Sequence, residues 1–282
     1  SEFLLPDNLL HELRLIKSPA EIKLMRHAAK ISAEGHKRAM ASCKPGLNEY
    51  ELEAQLLYAF ARNGSRAPAY ASIVGSGNNA CILHYDSNKA EIKEGDLVLI
   101  DAGCEYEYYA SDITRTFPAN GKFSAEQRAI YEIVLKAQKV AIEAVKPGAS
   151  WDAPHNASVK VITEGLVKLG LLKGRPTQLI KSEAYKDFYM HRVGHWLGMD
   201  VHDVGNYKID NKWRLLAPGM VTTIEPGIYI APDNAKVTKK WRGIGVRIED
   251  DVLVTKTGYK VLSTGIPKTV QEIESFMANP VH

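Results

Sequence analysis

Five residues of this chain have the chemistry of metal ligands: Asp101, Asp112, His195, Glu225 and Glu249. Asp101 closes the apolar run Leu97-Val98-Leu99-Ile100, and Glu225 closes Met220-Val221-Thr222-Thr223-Ile224 in the same sequence context, between a Gly before the run and a Gly two residues after the acid. An acid ending an apolar strand twice, at equivalent places, suggests two carboxylates brought together by a pseudo-two-fold fold. Asp112 lies eleven residues after Asp101, which predicts a hairpin whose partner strand carries the second acid back beside the first. Glu249, in Val246-Arg247-Ile248-Glu249-Asp250, is expected on an alternating strand with Ile248 on the opposite face. Unpaired carboxylates are rarely buried, so four of them related by a repeat point to bound cations.

Three histidines, His191, His195 and His202, fall within twelve residues among glycines that let other groups approach closely, and His84 adds a fourth in the first half. Oxygen-rich coordination with one imidazole suits Mn²⁺ first, with Co²⁺, Fe²⁺ and Zn²⁺ compatible. Four carboxylates carry too much charge for one ion and suit two, which is the arrangement of two-metal hydrolysis.

The elements that must hold these groups follow from local signals. Ser18-Pro19-Ala20-Glu21 is a capping box with Pro at the first helical position, predicting a helix to about Ser42, where Lys44-Pro45-Gly46 stops it. Asn48 and Glu51 begin a second helix that ends at Asn63-Gly64. Ser124 and Gln127 open a third, stopped by Lys146-Pro147-Gly148, 102 residues after the first Lys-Pro-Gly; a fourth covers about Ser150 to Leu169. Strand-like sequence follows each helix pair, over Ser72–His84 and Leu97–Phe117, then Met220–Ile230 and Gly245–Val254. Gly174–Asp187 is expected to be a connection and Lys236–Arg242 a solvated loop. Helices followed by antiparallel strands, twice, predict an α+β fold.

Composition narrows the setting. A chain of 282 residues with 45% apolar and 24% charged residues is globular, and a net charge of +3 with interleaved signs provides no basic face for nucleic acid. No apolar stretch approaches the roughly 20 residues of a membrane span, and no signal peptide is visible. Three cysteines, Cys43, Cys81 and Cys104, are too few for a disulfide framework and are read as reduced thiols of a cytoplasmic protein.

From about Leu13 onward the chain resembles the pita-bread metallopeptidases, in particular the catalytic domain of the aminopeptidase P group. The resemblance rests on Asp101-Ala102-Gly103 with Asp112 to Phe117, His191 to Asp203, Thr223 to Tyr229, and Gly245 to Asp250. It implies a pita-bread fold of two pseudo-symmetric helix-helix-strand halves, about 19–118 and 119–263, within a catalytic domain spanning 19–282. Residues 1–18 are then expected to be a leader or the remnant of a linker from a missing N-terminal domain, which leaves homo-oligomer formation open.

By position, the resemblance implies that Asp101 and Asp112 chelate one ion, His195 and Glu225 bind the other, and Asp112 and Glu249 bridge them. It further implies attack by a hydroxide on the carbonyl before proline in peptides with proline second, Glu225 relaying the proton. His84, His191 and His202 would contact substrate, and Arg247 would orient an acid or meet the substrate. Tyr229, Trp196 and Tyr85 are candidate aromatic walls for the proline ring. Prolidase and methionine aminopeptidase share the ligand set, and a non-catalytic pita-bread module or a metal-free, creatinase-like hydrolase is the alternative of a different class.

Overall fold

The computed structural model describes residues 7–279. Helices α1 (Asp7–Leu15), α2 (Pro19–Ser42) and α3 (Glu49–Arg62) begin the chain. At the start of α2 the Ser18 hydroxyl accepts from the Glu21 N–H and the Glu21 carboxylate accepts from the Ser18 N–H, closing the capping box. The apolar stripe Leu52, Leu56 and Phe60 of α3 packs into the same core as Ala28, Ile31 and Ala39 of α2. Gly35 sets how closely these helices meet, because a Cβ there would lie 2.8 Å from the Phe60 ring.

Strands β1 (Ala67–Pro68), β2 (Ile73–Ser76), β3 (Leu97–Asp101), β4 (Cys104–Tyr106), β5 (Tyr109–Ala110) and β6 (Thr114–Pro118) complete the first half. The sheet β2-β3-β6 is antiparallel, with Asp101 opposite Ile73 on one side and Thr114 on the other. Two expectations need correction here. The strand predicted over Ser72–His84 stops at Ser76, where Gly77 takes φ +53° and a 3₁₀ turn (Gly77–Cys81) begins. The single hairpin predicted from Asp101 to Asp112 is two nested pairings. The β4–β5 hairpin, turned by Glu107 and Tyr108 at positive φ, intervenes, so β6 starts only at Thr114 and Asp112 lies on the link before it.

The second half begins with α4 (Ala125–Glu143) and α5 (Ala153–Lys168), followed by α6 (Pro176–Lys181) and a 3₁₀ turn at Ala184–Asp187. The stretch Gly174–Asp187 is therefore not a plain connection, since Pro176 starts a short helix within it. Strands β7 (Lys208–Ile209) and β8 (Lys212–Trp213) form a small hairpin. The sheet β13-β12-β9 combines β9 (Val221–Ile224), β12 (Asp250–Val254) and β13 (Tyr259–Val261), while β10 (Gly227–Ile230) pairs with β11 (Ile244–Arg247). Helix α7 (Val270–Ala278), capped by Thr269, closes the described chain. Lys236–Arg242 is only partly solvated, because Val237 and Trp241 are buried in the main core. The strand expected through Val246–Asp250 breaks after Arg247: β11 and β12 take different partners, and Ile248 is fully buried at the break.

The halves correspond in detail. Gly46 and Gly148, both at positive φ, each donate an N–H at 2.8 Å to a carbonyl just ahead of a strand, Ile92 in one half and Leu216 in the other. Asp101 ends β3 opposite Thr114, two residues after Asp112; Ile224 ends β9 opposite Asp250, one residue after Glu249. Each half thus delivers one acid from a strand end and one from just before its partner strand.

Candidate metal centre

Where the strand ends of the two halves meet, a cavity of about 750 Å³ is lined by Asp101, Asp112, His195, Glu225 and Glu249, and also by His84, His191, His202 and Arg247. Carboxylate and imidazole atoms of Asp112, His195 and Glu249 all lie within 4.8 Å of one another, a separation that one cation can span.

Each ligand atom is aimed by a neighbour. Arg247 Nη2 holds Asp101 Oδ2 at 2.6 Å, while the Tyr70 hydroxyl stands between Asp101 Oδ1 (2.7 Å) and Asp112 Oδ1 (2.5 Å). Asp112 is fixed through its backbone, whose N–H donates to the buried Asp251 carboxylate at 3.3 Å. Glu249 Oε2 accepts from Thr114 Oγ1 at 2.6 Å, and the Glu249 N–H donates to the Thr114 carbonyl, joining the halves across the site. The Thr223 hydroxyl donates to Glu225 Oε1 at 3.2 Å. His195 pairs Nδ1 with the Trp196 carbonyl at 2.9 Å, which makes Nδ1 the protonated nitrogen. Its Nε2 then faces Asp112 Oδ2 at 3.3 Å and Glu225 Oε1 at 3.5 Å.

The histidine wall lies beside this cluster. His191 Nε2 meets the Tyr229 hydroxyl at 2.9 Å, and that hydroxyl accepts from Arg247 Nη1 at 2.9 Å, so its proton is free for the imidazole. Burial and the Arg247 charge lower His191 to about 3, which keeps it neutral. The His202 ring meets His195 edge-on with centroids 4.3 Å apart. His84 lies exposed on the loop after the 3₁₀ turn and lines the same cavity. Arg247 orients an acid, Asp101, rather than standing free toward the cavity.

The electrostatics suit a cationic guest. Burial, then the charges of Asp112, Glu225 and Asp101, push Glu249 well above the usual carboxylate range. Burial raises Glu225 to about 7, with Asp112 and Asp101 adding to the shift and His195 and Arg247 opposing it. Asp112 goes the other way: burial would raise it, but the hydrogen bond and charge of His195 lower it. His195 in turn is raised to about 9, since Asp112 and Glu225 outweigh its burial. Four acids facing one arginine and one imidazole leave an excess of negative charge, which a divalent ion would neutralise. The donor set therefore fits the group that the sequence implies.

Sequence reasoning missed Tyr70, Thr114 and Asp251. Thr114 lies inside a quoted motif, but its hydroxyl was passed over beside the acids; Tyr70 lies in a segment with no period to place it. The aromatic walls are also corrected. Trp196 is fully buried against Trp151 and Tyr207, Tyr85 donates its hydroxyl to Glu49, and Tyr229 is buried behind His191. Tyr70, Trp151, Tyr207 and Trp213 line the cavity instead.

The sequence profile described as metallopeptidase family M24 matches residues 23–256. The chain is 55% identical over 269 residues to a Xaa-Pro aminopeptidase of Haemophilus influenzae, covering 95% of this chain and 62% of that protein. It is 52% identical over 269 residues to the Xaa-Pro aminopeptidase of Escherichia coli, covering 95% and 60%. The solved structure of Pseudomonas aeruginosa aminopeptidase PepP superposes with a TM-score of 0.98 at 63% identity, covering 99% of this chain and 63% of that one. The chain thus spans about three fifths of the length of these relatives.

Proposed function

The chain belongs to metallopeptidase family M24, and we propose that it is a dinuclear-metal aminopeptidase that releases the N-terminal residue from peptides with proline second. The convergence of four carboxylates and the His195 imidazole on one aromatic-walled cavity carries this reading. Asp101 and Asp112 would hold one ion, His195 and Glu225 the other, with Asp112 and Glu249 shared. Mn²⁺ is the preferred ion, given four carboxylates, one imidazole and no thiolate. When bound, the ions supply Lewis-acid activation of water and of the scissile carbonyl.

The chain's own groups supply the rest. Arg247 and Tyr70 orient the Asp101 carboxylate from its two oxygens, and Thr114 occupies one oxygen of Glu249, which fixes the direction of its other oxygen. Glu225 faces the cavity and would carry a proton to the departing proline nitrogen, which needs one to leave as an amine. Neutral His191, with His84 and His202, would contact the peptide and the charge developing on the carbonyl oxygen. The apolar walls of Trp151, Tyr207 and Trp213 suit a ring that lacks an N–H. Among the described residues no helix is long and apolar enough to cross a membrane. Three free cysteines, two of them pushed by burial to about 12, fit a reducing cytoplasm.

The test is hydrolysis of an Xaa-Pro-Xaa tripeptide, Gly-Pro and Met-Ala-Ser, each with added Mn²⁺ and after chelation. Mn²⁺-dependent release of the first residue from the tripeptide is expected. Cleavage of Gly-Pro alone would replace the reading with a dipeptidase, and release of Met with a methionine aminopeptidase. A metal-loaded protein silent on all three would overturn it.

A further inference from the structure

His202 reaches the cavity from a segment with little support of its own. Among the described residues, no backbone N–H of residues 199–202 donates to another backbone carbonyl, and Met199 and Asp200 are exposed. Immediately after His202 the chain turns inward. The Asp203 side chain is 1% exposed, and its two oxygens meet Lys17 Nζ at 2.9 Å and Arg14 Nη2 at 2.5 Å. Lys17 is equally buried and comes from the link between α1 and α2, with its own N–H on the Gly219 carbonyl at 2.9 Å. Arg14, in the last turn of α1, also holds Asp200 at 2.7 Å, so it grips both sides of His202. The loop closes tightly on this charge: a Cβ on Gly198 would lie 2.1 Å from Asp203 Oδ2 and 2.9 Å from Lys17 Cε. The Asp203 N–H returns to the Trp196 carbonyl at 2.9 Å, tying the loop to the residue beside His195.

A buried ion pair is weak evidence for stability, because desolvation offsets much of its attraction. Its better use is to fix one geometry. We infer that Arg14 and Lys17 are positioning residues for catalysis: by clamping Asp203 they hold His202 against His195, so that the segment before α2 supports the substrate-binding wall from behind. This rests on the aminopeptidase reading in that His202 is taken to contact the peptide. The clamp touches neither the substrate nor the carboxylates of the metal centre.

The test is a double-mutant cycle on the Mn²⁺-loaded chain with an Xaa-Pro-Xaa tripeptide, using Asp203→Asn, His202→Ala and the pair, together with amide exchange of the loop. Misplacing a group that acts on the transition state can lower kcat by about 10–100-fold, and that loss is expected for Asp203→Asn. In the His202→Ala background the same change should add no more than about twofold, because there is no imidazole left to position. The amides of Gly198 and Asp203, which donate to the Asp200 and Trp196 carbonyls, should exchange faster in Asp203→Asn, while those of β3 stay protected. Independent multiplication of the two losses, or unchanged loop exchange, would overturn the clamp. Should Asp203→Asn fail to fold, Arg14→Gln leaves the Lys17–Asp203 pair in place and is judged by the same criteria. A wild-type chain that binds Mn²⁺ but leaves the tripeptide intact would refute the aminopeptidase reading, and loop exchange alone would then decide the clamp.

Discussion

Glu249 and Asp250 are neighbours in sequence and both are buried, yet the protein treats their charges in opposite ways. Asp250 is held far below the usual carboxylate range: burial would raise it, but Arg115 at 2.8 Å and Lys268 at 2.6 Å more than compensate. Gln138 and Ser263 donate to its oxygens as well. Glu249 faces Asp112, Glu225 and Asp101 with only a threonine hydroxyl on its own oxygens, and is pushed well above that range. One acid is neutralised by protein cations, and the other lies without a protein cation on its oxygens in a cluster that could hold a metal ion. Within this neighbouring pair, the two carboxylates are told apart by whether the protein supplies a counter-charge, not by burial.

The strongest way to break this contrast is Asp112→Asn, which removes the carboxylate that both ions would share. Activity should fall on the order of 10⁴-fold, as for an essential member of a catalytic unit, and metal analysis should show lost occupancy with the fold retained. On the other side, Arg115→Met strands Asp250 among fewer cations. Breaking a buried pair in this way costs about 3–5 kcal/mol, measurable by urea unfolding, and the folded fraction should still bind metal.

The pH dependence of stability should sharpen the contrast by its sign. Glu225, raised from 4.5 to about 7, keeps a proton in the metal-free fold that the unfolded chain has released. Between those values the metal-free protein therefore loses stability as pH rises. His195, raised from 6.5 to about 9, extends the loss upward, since its extra stability is present below 6.5 and gone above about 9. With Mn²⁺ bound the slope should reverse on the acid side, because protons compete with the ion for its ligands. Thermal melts of stripped and loaded protein across this range provide the check, and parallel slopes would refute the assignment. The smallest effect is expected from Lys268→Ala. Lys268 is 24% exposed beside an Asp250 that keeps Arg115, so the loss should be about 1 kcal/mol or less.

Much of this was legible in the sequence because it depends on short-range rules. Capping boxes placed the starts of α2 and α4 at Ser18 and Ser124, and Lys-Pro-Gly stops marked where the first helix of each half ends. Acids at the ends of apolar runs exposed the carboxylates, since burying a charge leaves few explanations. The misses arose where geometry depends on tertiary partners. The break between Arg247 and Asp250 is invisible in a run that alternates well, because β11 and β12 separate only on meeting different strands. Trp196 was a plausible cavity wall by position, and only packing shows that Trp151 and Trp213 line the cavity while Trp196 is core. The Tyr70 hydroxyl between two acids leaves no mark in composition or period.

The Arg115 side chain, which donates to the Glu249 carbonyl at 2.6 Å and pairs with Asp250, bridges residues about 135 apart in sequence. Closing so long a loop costs chain entropy that no local contact repays. Each half can build its own helix pair and strands early, from contacts close in sequence, while this seam waits for the halves to dock. The ligand cluster spans the seam, so it should come together among the last events of folding. Mn²⁺ added to the refolding chain is then expected to slow unfolding while leaving the refolding rate unchanged.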